Sequence, residues 1–421
     1  MQSLVFSGRS IDQTQVRRSN LGLVLQTIAL DGPVSRAALT SRVGLNKATI
    51  SSIVGELIAS GLVATEEGGR SGTVGRPAQL LRVSGARYAA IGLELDFDQI
   101  ILGAPDLSGA TRLTSRSTFD ARAAGPVGTA EAIADIARNA LDTLAADGLS
   151  VVDVSVTVDA VVDHVSGTIV SAPDLGWQAV PFRELLAEAL APLRGPLHID
   201  NDANVAALAE QSLGAARGLR DFVYVWGSSG IGAGIVCGGQ LYRGSHGFGG
   251  EIGHTTIDRD GPLCDCGRRG CLGMLAAADV LLEKAGVPNG ASLAERTADL
   301  AVLARSGNRR ALEAMSDVGA ALGTGIASLA NVLDPEAFVL GGAYATLAEW
   351  LAPPIQSELD RRAPGAEGTQ CRVLVSTLGD VGPSTGAAEL RLRDVLANPS
   401  AYGPAAPAQP APHATRTWST A

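Results

Sequence analysis

No run in this 421-residue chain reaches the roughly 18 to 20 consecutive apolar residues that a bilayer-spanning helix needs. The opening stretch MQSLVFSGRSIDQTQVRRSN also lacks the long apolar segment of a secretory signal. A membrane or exported protein is therefore not expected, and a cytoplasmic one is. Aromatic residues are scarce, at 4%, and charged residues few, at 18%, so close packing must come from 51 glycines and abundant alanine. Cysteine is sparse too, with five in all, which fits a reducing compartment. Three of the five cluster with metal-site spacing. Cys237 and Cys371 stand alone in apolar, strand-like surroundings and are expected to be buried small hydrophobes.

What is present is a chain too long for one ordinary core, with 46% hydrophobic residues to fill two or three. The net charge of −10 is unevenly distributed. Residues 1 to 82 carry nine Lys/Arg against five acids, a balance of +4, which leaves −14 on the rest. A small basic module on a large acidic body suits a DNA-tethered sensor, because phosphate draws the first and repels the second.

The N-terminal pattern supports that reading. Asn20 is a cap candidate, followed by Leu21, Val24, Leu25 and Ile28 at helical spacing, and "DGP" at 31–33 ends the helix. Ser35 can cap a second helix, "RAALTSRV", Gly44 makes a tight turn, and Asn46 can cap a third with an apolar face of Ile50, Val54, Leu57 and Ile58. Three short helices with a glycine turn before the third match a helix-turn-helix. The extended pieces "LVATEE" and "QLLRV", joined by the basic "GGRSGTVGRPA", then read as a wing. The predicted DNA contacts are Ser35 and Arg36 at the second helix, and Asn46, Lys47, Thr49, Ser51 and Ser52 at the start of the third. Arg70 and Arg76 in the wing would reach phosphate or the minor groove.

From residue 88 onward, strand and helix patterns alternate as in an α/β body. Strand-rich beginnings near 89 and 221, each followed by helices, hint at a duplicated two-lobed architecture. The predicted organisation is a winged helix-turn-helix over 15–84 and a body over 87–395. Its lobes cover roughly 87–200 with the C-terminal end, and 201–375. A Pro/Ala-rich disordered tail is expected over 396–421.

The densest chemistry lies in "GEIGHTTIDRDGPLCDCGRRGCLGM", residues 250–274. Cys264 and Cys266 form a C-x-C pair, Cys271 follows after a glycine-flanked arginine pair, and His254 precedes them by ten residues. One histidine and three cysteines make a closed tetrahedral zinc set with no position for water, which favours one structural Zn2+ per chain over a catalytic metal. Reduced thiols without metal are the alternative.

With "GEIGH", "CDCGRRGC", "DNDAN" (200–204), "GIGAGIV" (230–236), "LGG" (340–342) and "GRP" (75–77), the chain resembles the ROK family of repressors, open reading frames and sugar kinases, in its winged-helix transcriptional-regulator branch. The resemblance covers about 20 to 395. It implies a two-lobed sugar-kinase-like (actin-like ATPase) body, a zinc site that shapes a sugar pocket, and a homodimer or homotetramer on pseudopalindromic double-stranded operator DNA. Asp202 falls where the kinases carry their general base, Asn201 and Glu251 where sugar hydroxyls are held, and His254 where zinc meets the pocket.

Departures from the family pattern separate sensor from enzyme. The kinases' phosphate turn, Gly-Gly-Thr after a strand ending in Asp, reads Asp96-Phe97-Asp98 after Glu94. Two carboxylates would face a polyphosphate there. The second phosphate turn reads Ser228-Ser229-Gly230. A Gly-x-Pro-Gly loop is replaced by Thr157-Val158-Asp159-Ala160, and the glutamate two after the last cysteine is Gly273. Either the effector is atypical, or Asp159 compensates, or sugar sensing is weakened. The expected function is a DNA-binding regulator, usually a repressor, whose body senses a sugar-like effector without phosphorylating it. The alternative is an ATP-dependent sugar kinase with an added DNA module.

Overall fold

The computed structural model describes residues 13–67, 79–96, 98–192, 195, 197–245, 247–363, 371–379 and 382–402. The chain divides into two compact units. The described residues up to Tyr88, with those from Leu392 on, form the first, and Ala89–Arg391 the second.

The first unit opens with α1 (Gln13–Asp31), β1 (Val34–Ser35), α2 (Arg36–Val43) and α3 (Lys47–Ala59). Asn20 does not cap α1: the helix starts at Gln13, so its polar first turns precede the apolar stripe of Leu21, Val24, Leu25 and Ile28. Ser35 and Asn46 do cap the next two helices, accepting from the N–H of Ala38 at 3.2 Å and of Thr49 at 2.9 Å. The buried face of α3 is Ile50, Ile53, Val54 and Leu57. That is the i, i+3, i+4, i+7 stripe, and Ile58, expected inside, is 36% exposed.

β2 (Val63–Glu67) and β3 (Gln79–Val83) pair antiparallel from Val63↔Val83 to Glu67↔Gln79. β1 adds to the other edge of β3 through Val34↔Leu81 and Ser35↔Leu80. A two-residue strand has no period to read, so this third strand was invisible in sequence. The wing tip with Arg70 and Arg76 lies outside the described residues.

The second unit holds two five-stranded sheets. The first draws on β4 (Tyr88–Leu95), β5 (Gln99–Pro105), β6 (Thr111–Thr118), β7 (Ser150–Val158) and β11 (Leu197–Asn201), in the order β11-β7-β4-β5-β6. Helices α4 (Ala121–Ala146) and α5 (Phe182–Ala189) cover it, and β8 (Val161–Asp163), β9 (Thr168–Ala172) and β10 (Trp177–Val180) form a small sheet beside it. Its core includes Ile91, Leu93, Ile133, Phe182 and Ile199.

After α6 (Asp202–Ser212), the second sheet uses β12 (Phe222–Gly227), β13 (Ile231–Cys237), β14 (Gln240–Tyr242), β15 (Ala337–Gly342) and β16 (Arg372–Val375), in the order β14-β13-β12-β15-β16. The helical remainder is α7 (Gly273–Ala276), α8 (Ala278–Ala285), α9 (Leu293–Arg305), α10 (Arg309–Leu333), α11 (Ala343–Thr346), α12 (Ala348–Arg362) and α13 (Gly382–Ala397). Its core gathers Val223, Val225, Leu322, Phe338, Tyr344 and Leu351.

Glycine and alanine do what their abundance suggested. A Cβ on Gly234 of β13 would lie 2.4 Å from the Ala207 methyl of α6, and one on Gly92 of β4 would lie 1.8 Å from the Ser384 carbonyl of α13. Helices therefore sit directly on sheet backbone.

Two expectations are corrected here. The expected tail begins as structure: α13 runs to Ala397, Pro399–Ala401 form a single 3₁₀ turn, and the Tyr88 hydroxyl donates to the Tyr402 carbonyl at 3.1 Å. The rest of the tail lies outside the described residues. Cys237, at the end of β13, is exposed and Cys371, just before β16, half-buried, because each falls where a strand leaves or enters the sheet.

Candidate effector cleft and metal centre

Strand register brings the site together. β7 and β11 run parallel with Val158 beside Asn201, so the residues that follow, Asp159 and Asp202, emerge at one edge of the sheet. β12 and β15 are parallel too, with Gly227 beside Gly342, and Ser228 follows Gly227. Ligands of α/β proteins bind where the carboxyl ends of such strands converge.

A cavity of 1230 Å³ opens there, lined among others by Asp159, Asp174, Asn201, Glu251, His254 and Gly273. A smaller one of 80 Å³ adjoins it, lined by Glu94, Asp96, Arg116, Asp159, Asp202 and Ser228 among others. Asp159 lines both.

Asn201 is the N-cap of α6: its Oδ1 accepts from Asn204 N–H at 3.0 Å, while its Nδ2 donates to the Ala160 carbonyl at 3.2 Å and to Asp202 Oδ1 at 3.0 Å. Asp202, the first residue of that helix, is 3% exposed. Its Oδ1 also accepts from Ala203 N–H at 2.7 Å. Burial, then the Asp159 charge, raises its carboxyl well above the usual range. Asp159 accepts from Ser228 Oγ at 3.3 Å. Burial, with Asp174, Glu251 and Asp96 around it, pushes it up to about 7. Ser229 Oγ donates to Asp174 at 3.4 Å. The two serines of the second glycine turn therefore spend their hydroxyls on cleft carboxylates.

Asp98, beyond β4, is also raised, by burial and by Asp96. An Arg243 guanidinium clamps Asp200 with two bonds of 2.6 and 2.5 Å, fixing the turn that carries Asn201 and Asp202.

The cysteine loop folds as its glycines require. Gly270 has φ +65°, and a Cβ there would lie 1.4 Å from the Asp258 carbonyl oxygen, so no other residue fits. Cys264 N–H donates to the Arg268 carbonyl and Gly267 N–H to the Cys264 carbonyl, both at 2.8 Å.

The donor atoms of His254, Cys264, Cys266 and Cys271 all lie within 4.8 Å of one another. Cys264 Sγ is 3.6 Å from His254 Nδ1, and Cys266 Sγ is 3.6 Å from Cys271 Sγ. Metal–sulfur bonds of about 2.3 Å and metal–nitrogen bonds of about 2.0 Å place tetrahedral ligands roughly 3.5–3.8 Å apart, so the cluster fits a metal ion. The Arg268 backbone N–H lowers the Cys266 thiol, whereas burial and the neighbouring sulfurs push Cys271 up to about 12. His254 ends a 3₁₀ turn, Ile252–His254, that follows Glu251, whose carboxyl is raised by burial. The metal cluster and the cleft thus share one wall.

In the first unit, Lys47 and Ser51 are exposed near the start of α3, and Thr49 is half-exposed. Ser35 and Asn46 have cap bonds, and Arg36 donates to Gln79 at 3.5 Å. Ser52 accepts from Arg17 at 3.4 Å, and Arg17 also pairs with Glu56. Sequence reading missed Arg17 on this face and Asp174 in the cleft. Asp174 sits in a 3₁₀ turn, Pro173–Leu175, whose only sequence signal is Pro-Asp before Leu-Gly.

Comparison with known proteins places these features. The ROK family model matches residues 91–394. A xylose repressor of Bacillus spizizenii is 30% identical over 385 residues, 91% of this chain and 98% of the relative. A solved ROK family transcriptional regulator, a homologue of the Escherichia coli MLC protein, superposes with a TM-score of 0.72 at 24% identity, over 91% of this chain and 97% of that one. A ROK family glucokinase from Streptomyces griseus, solved with glucose and AMPPNP, superposes with a TM-score of 0.61 at 28% identity, over 72% and 98%. None of the helices among the described residues is long and apolar enough to cross a membrane.

Proposed function

This chain belongs to the ROK family, and we propose that it is a DNA-binding transcriptional regulator, a repressor in operation, whose kinase-like body senses a sugar or sugar derivative without phosphorylating it. The observation that carries this is the pairing of a winged-helix unit with a cleft whose phosphate end is acidic. Glu94, Asp96, Asp159 and Asp202 line the smaller cavity. Against them stands Arg116, whose Nη1 donates to Gln99 at 3.0 Å. Phosphoryl transfer requires positive charge, or a metal-bridged polyphosphate, at that point. Like charges repel the nucleotide instead. The likeness to a repressor over nearly its full length supports the same reading.

In this reading Asn201, Asp202, Glu251, His254 and Asp159 hold the effector. Asp202 stands as a hydrogen-bonding group or a vestigial base. One zinc ion per chain is held by His254, Cys264, Cys266 and Cys271; its closed ligand set leaves no place for water, and it clips the loop that forms a cleft wall. Two copies of the chain present α3 and the wing to a pseudopalindromic operator. Ser35, Arg36, Asn46, Lys47, Thr49, Ser51 and Ser52 stand at the major groove, with Arg70 and Arg76 reaching phosphate or the minor groove.

The test is direct. Purified protein retards DNA from its own promoter region in preference to scrambled DNA at physiological salt, and it turns over no ATP with aldohexoses or xylose. Absence of sequence-preferring binding removes the regulator. ATP turnover abolished by Asp202→Asn installs the kinase in its place.

A further inference from the structure

The charge inside the cleft says more about the ligand than the fold does. Asp159 is the hub: the charges that act on its carboxyl are those of Asp174, Glu251 and Asp96, and Asp202 responds in turn to Asp159, Asp96 and Glu251. These groups come from separate elements, so no local turn explains the gathering. Asp159 follows β7, Asp174 lies in the turn after β9, Asp202 opens α6, and Glu251 precedes the cysteine loop.

A second observation points to an occupant. Asp202 is 3% exposed, and both of its hydrogen bonds use Oδ1, from Asn201 Nδ2 and Ala203 N–H. Its Oδ2 has no hydrogen-bond donor among the described residues, and the residue lines the cavity. Of the basic side chains along the cavity walls, Arg116 donates to Gln99 and acts on Asp98, His254 acts on Glu251, and Arg268 is exposed in the cysteine loop; none of them is among the leading influences on Asp159 or Asp202.

We propose that the cleft selects a cationic ligand, an amino sugar whose ammonium group sits between Asp159 and Asp202 while its hydroxyls meet Asn201 and Glu251. This rests on the reading of the body as a sugar sensor and adds the charge of what it senses. Asp159 is then the specificity-determining residue. A protonated amine gives Asp202 Oδ2 a donor and gives Asp159 a charged one beside the Ser228 hydroxyl. It also favours their ionised forms. A sugar phosphate meets repulsion in the same place, and a neutral sugar leaves the carboxylates facing one another.

The experiment is calorimetric titration and thermal shift of the full chain at pH 6.5, where even an amine no more basic than a peptide α-amino group, about 7.7–8.0, is protonated. The probes are glucosamine, galactosamine and mannosamine, each beside its neutral parent and its N-acetyl derivative, with xylose and glucose 6-phosphate added. At least one amino sugar binds tenfold or more tightly than its parent and its N-acetyl form. Asp159→Asn removes that preference, and the variant's own melting curve establishes that it folds. A neutral sugar binding as tightly as its amine overturns the inference and leaves the sensor standing, as does an amine preference that survives Asp159→Asn. If no probe of either charge binds while operator binding persists, the sugar-sensor reading fails and the inference with it.

Discussion

At the scale of single residues, Asp159 makes a measurable claim on stability. Its carboxyl is pushed from 3.8 up to about 7 in the folded chain, chiefly by burial and then by Asp174 and Glu251. Below about pH 3 the group is protonated whether the chain is folded or not, and its burial goes unpenalised. As pH rises from about 3 to 7 the unfolded chain releases this proton while the folded chain keeps it, so stability falls. The slope for one such proton is about 1.4 kcal/mol per pH unit, shared here with Asp202, which is raised by burial and by Asp159 itself. Asparagine has the same shape and no charge. Asp159→Asn is therefore expected to melt several degrees above the parent at pH 8 and to converge with it by about pH 3. Melting curves across that range decide the matter, and a variant no more stable than the parent at pH 8 refutes it. In the proposed reading the group is kept for the effector, as sites of function are where stability is given up.

At the scale of elements, the cysteine loop links backbone shape to metal content. The Cβ that Gly270 lacks would collide with the Asp258 carbonyl, and Gly270 adjoins Cys271, so its substitution disturbs the ligand geometry without removing a ligand. Purified protein is expected to hold about one zinc ion per chain. Cys266→Ser and Gly270→Ala are each expected to lower that content and the melting temperature together, read by metal analysis and calorimetry. Gly270→Ala retaining full zinc would show that the loop tolerates another path.

This loop was legible in sequence because its ligands lie within 18 residues and its glycines announce the turns. So were α2 and α3, whose caps and apolar stripes are local. β1 was not, because two residues carry no period. On α3, Ile53 takes the buried place expected of Ile58, because the apolar stripe starts its second turn at i+3. The gathering of Asp159, Asp174, Asp202 and Glu251 was least legible, since strand order and parallel register create it and no spacing along the chain does. Likeness to the family singles out Asp159, Asp202 and Glu251 for one pocket; that Asp174 joins them required the fold.

At the scale of the whole molecule, charge is segregated along the chain, +4 over residues 1 to 82 and −14 over the rest. Operator affinity must then draw on few cations in the first unit, since the net charge of the rest repels phosphate. Lys47 is the exposed cation of α3, and neutralising one phosphate contact changes the salt slope of binding by about 0.9. The proposed dimer carries two copies, so Lys47→Ala should reduce the slope of log affinity against log salt by about two. It should weaken operator and scrambled DNA by similar factors, because a phosphate contact positions without specifying. Salt-dependent fluorescence anisotropy on both DNAs measures this. A slope left unchanged by Lys47→Ala would place α3 away from the backbone. A loss confined to the operator would make Lys47 a reader of bases. An effector that biases how the α3 helices of the proposed dimer are presented need shift binding only by the 5- to 150-fold typical of such coupling to switch occupancy. The operator must then change effector affinity by the same factor.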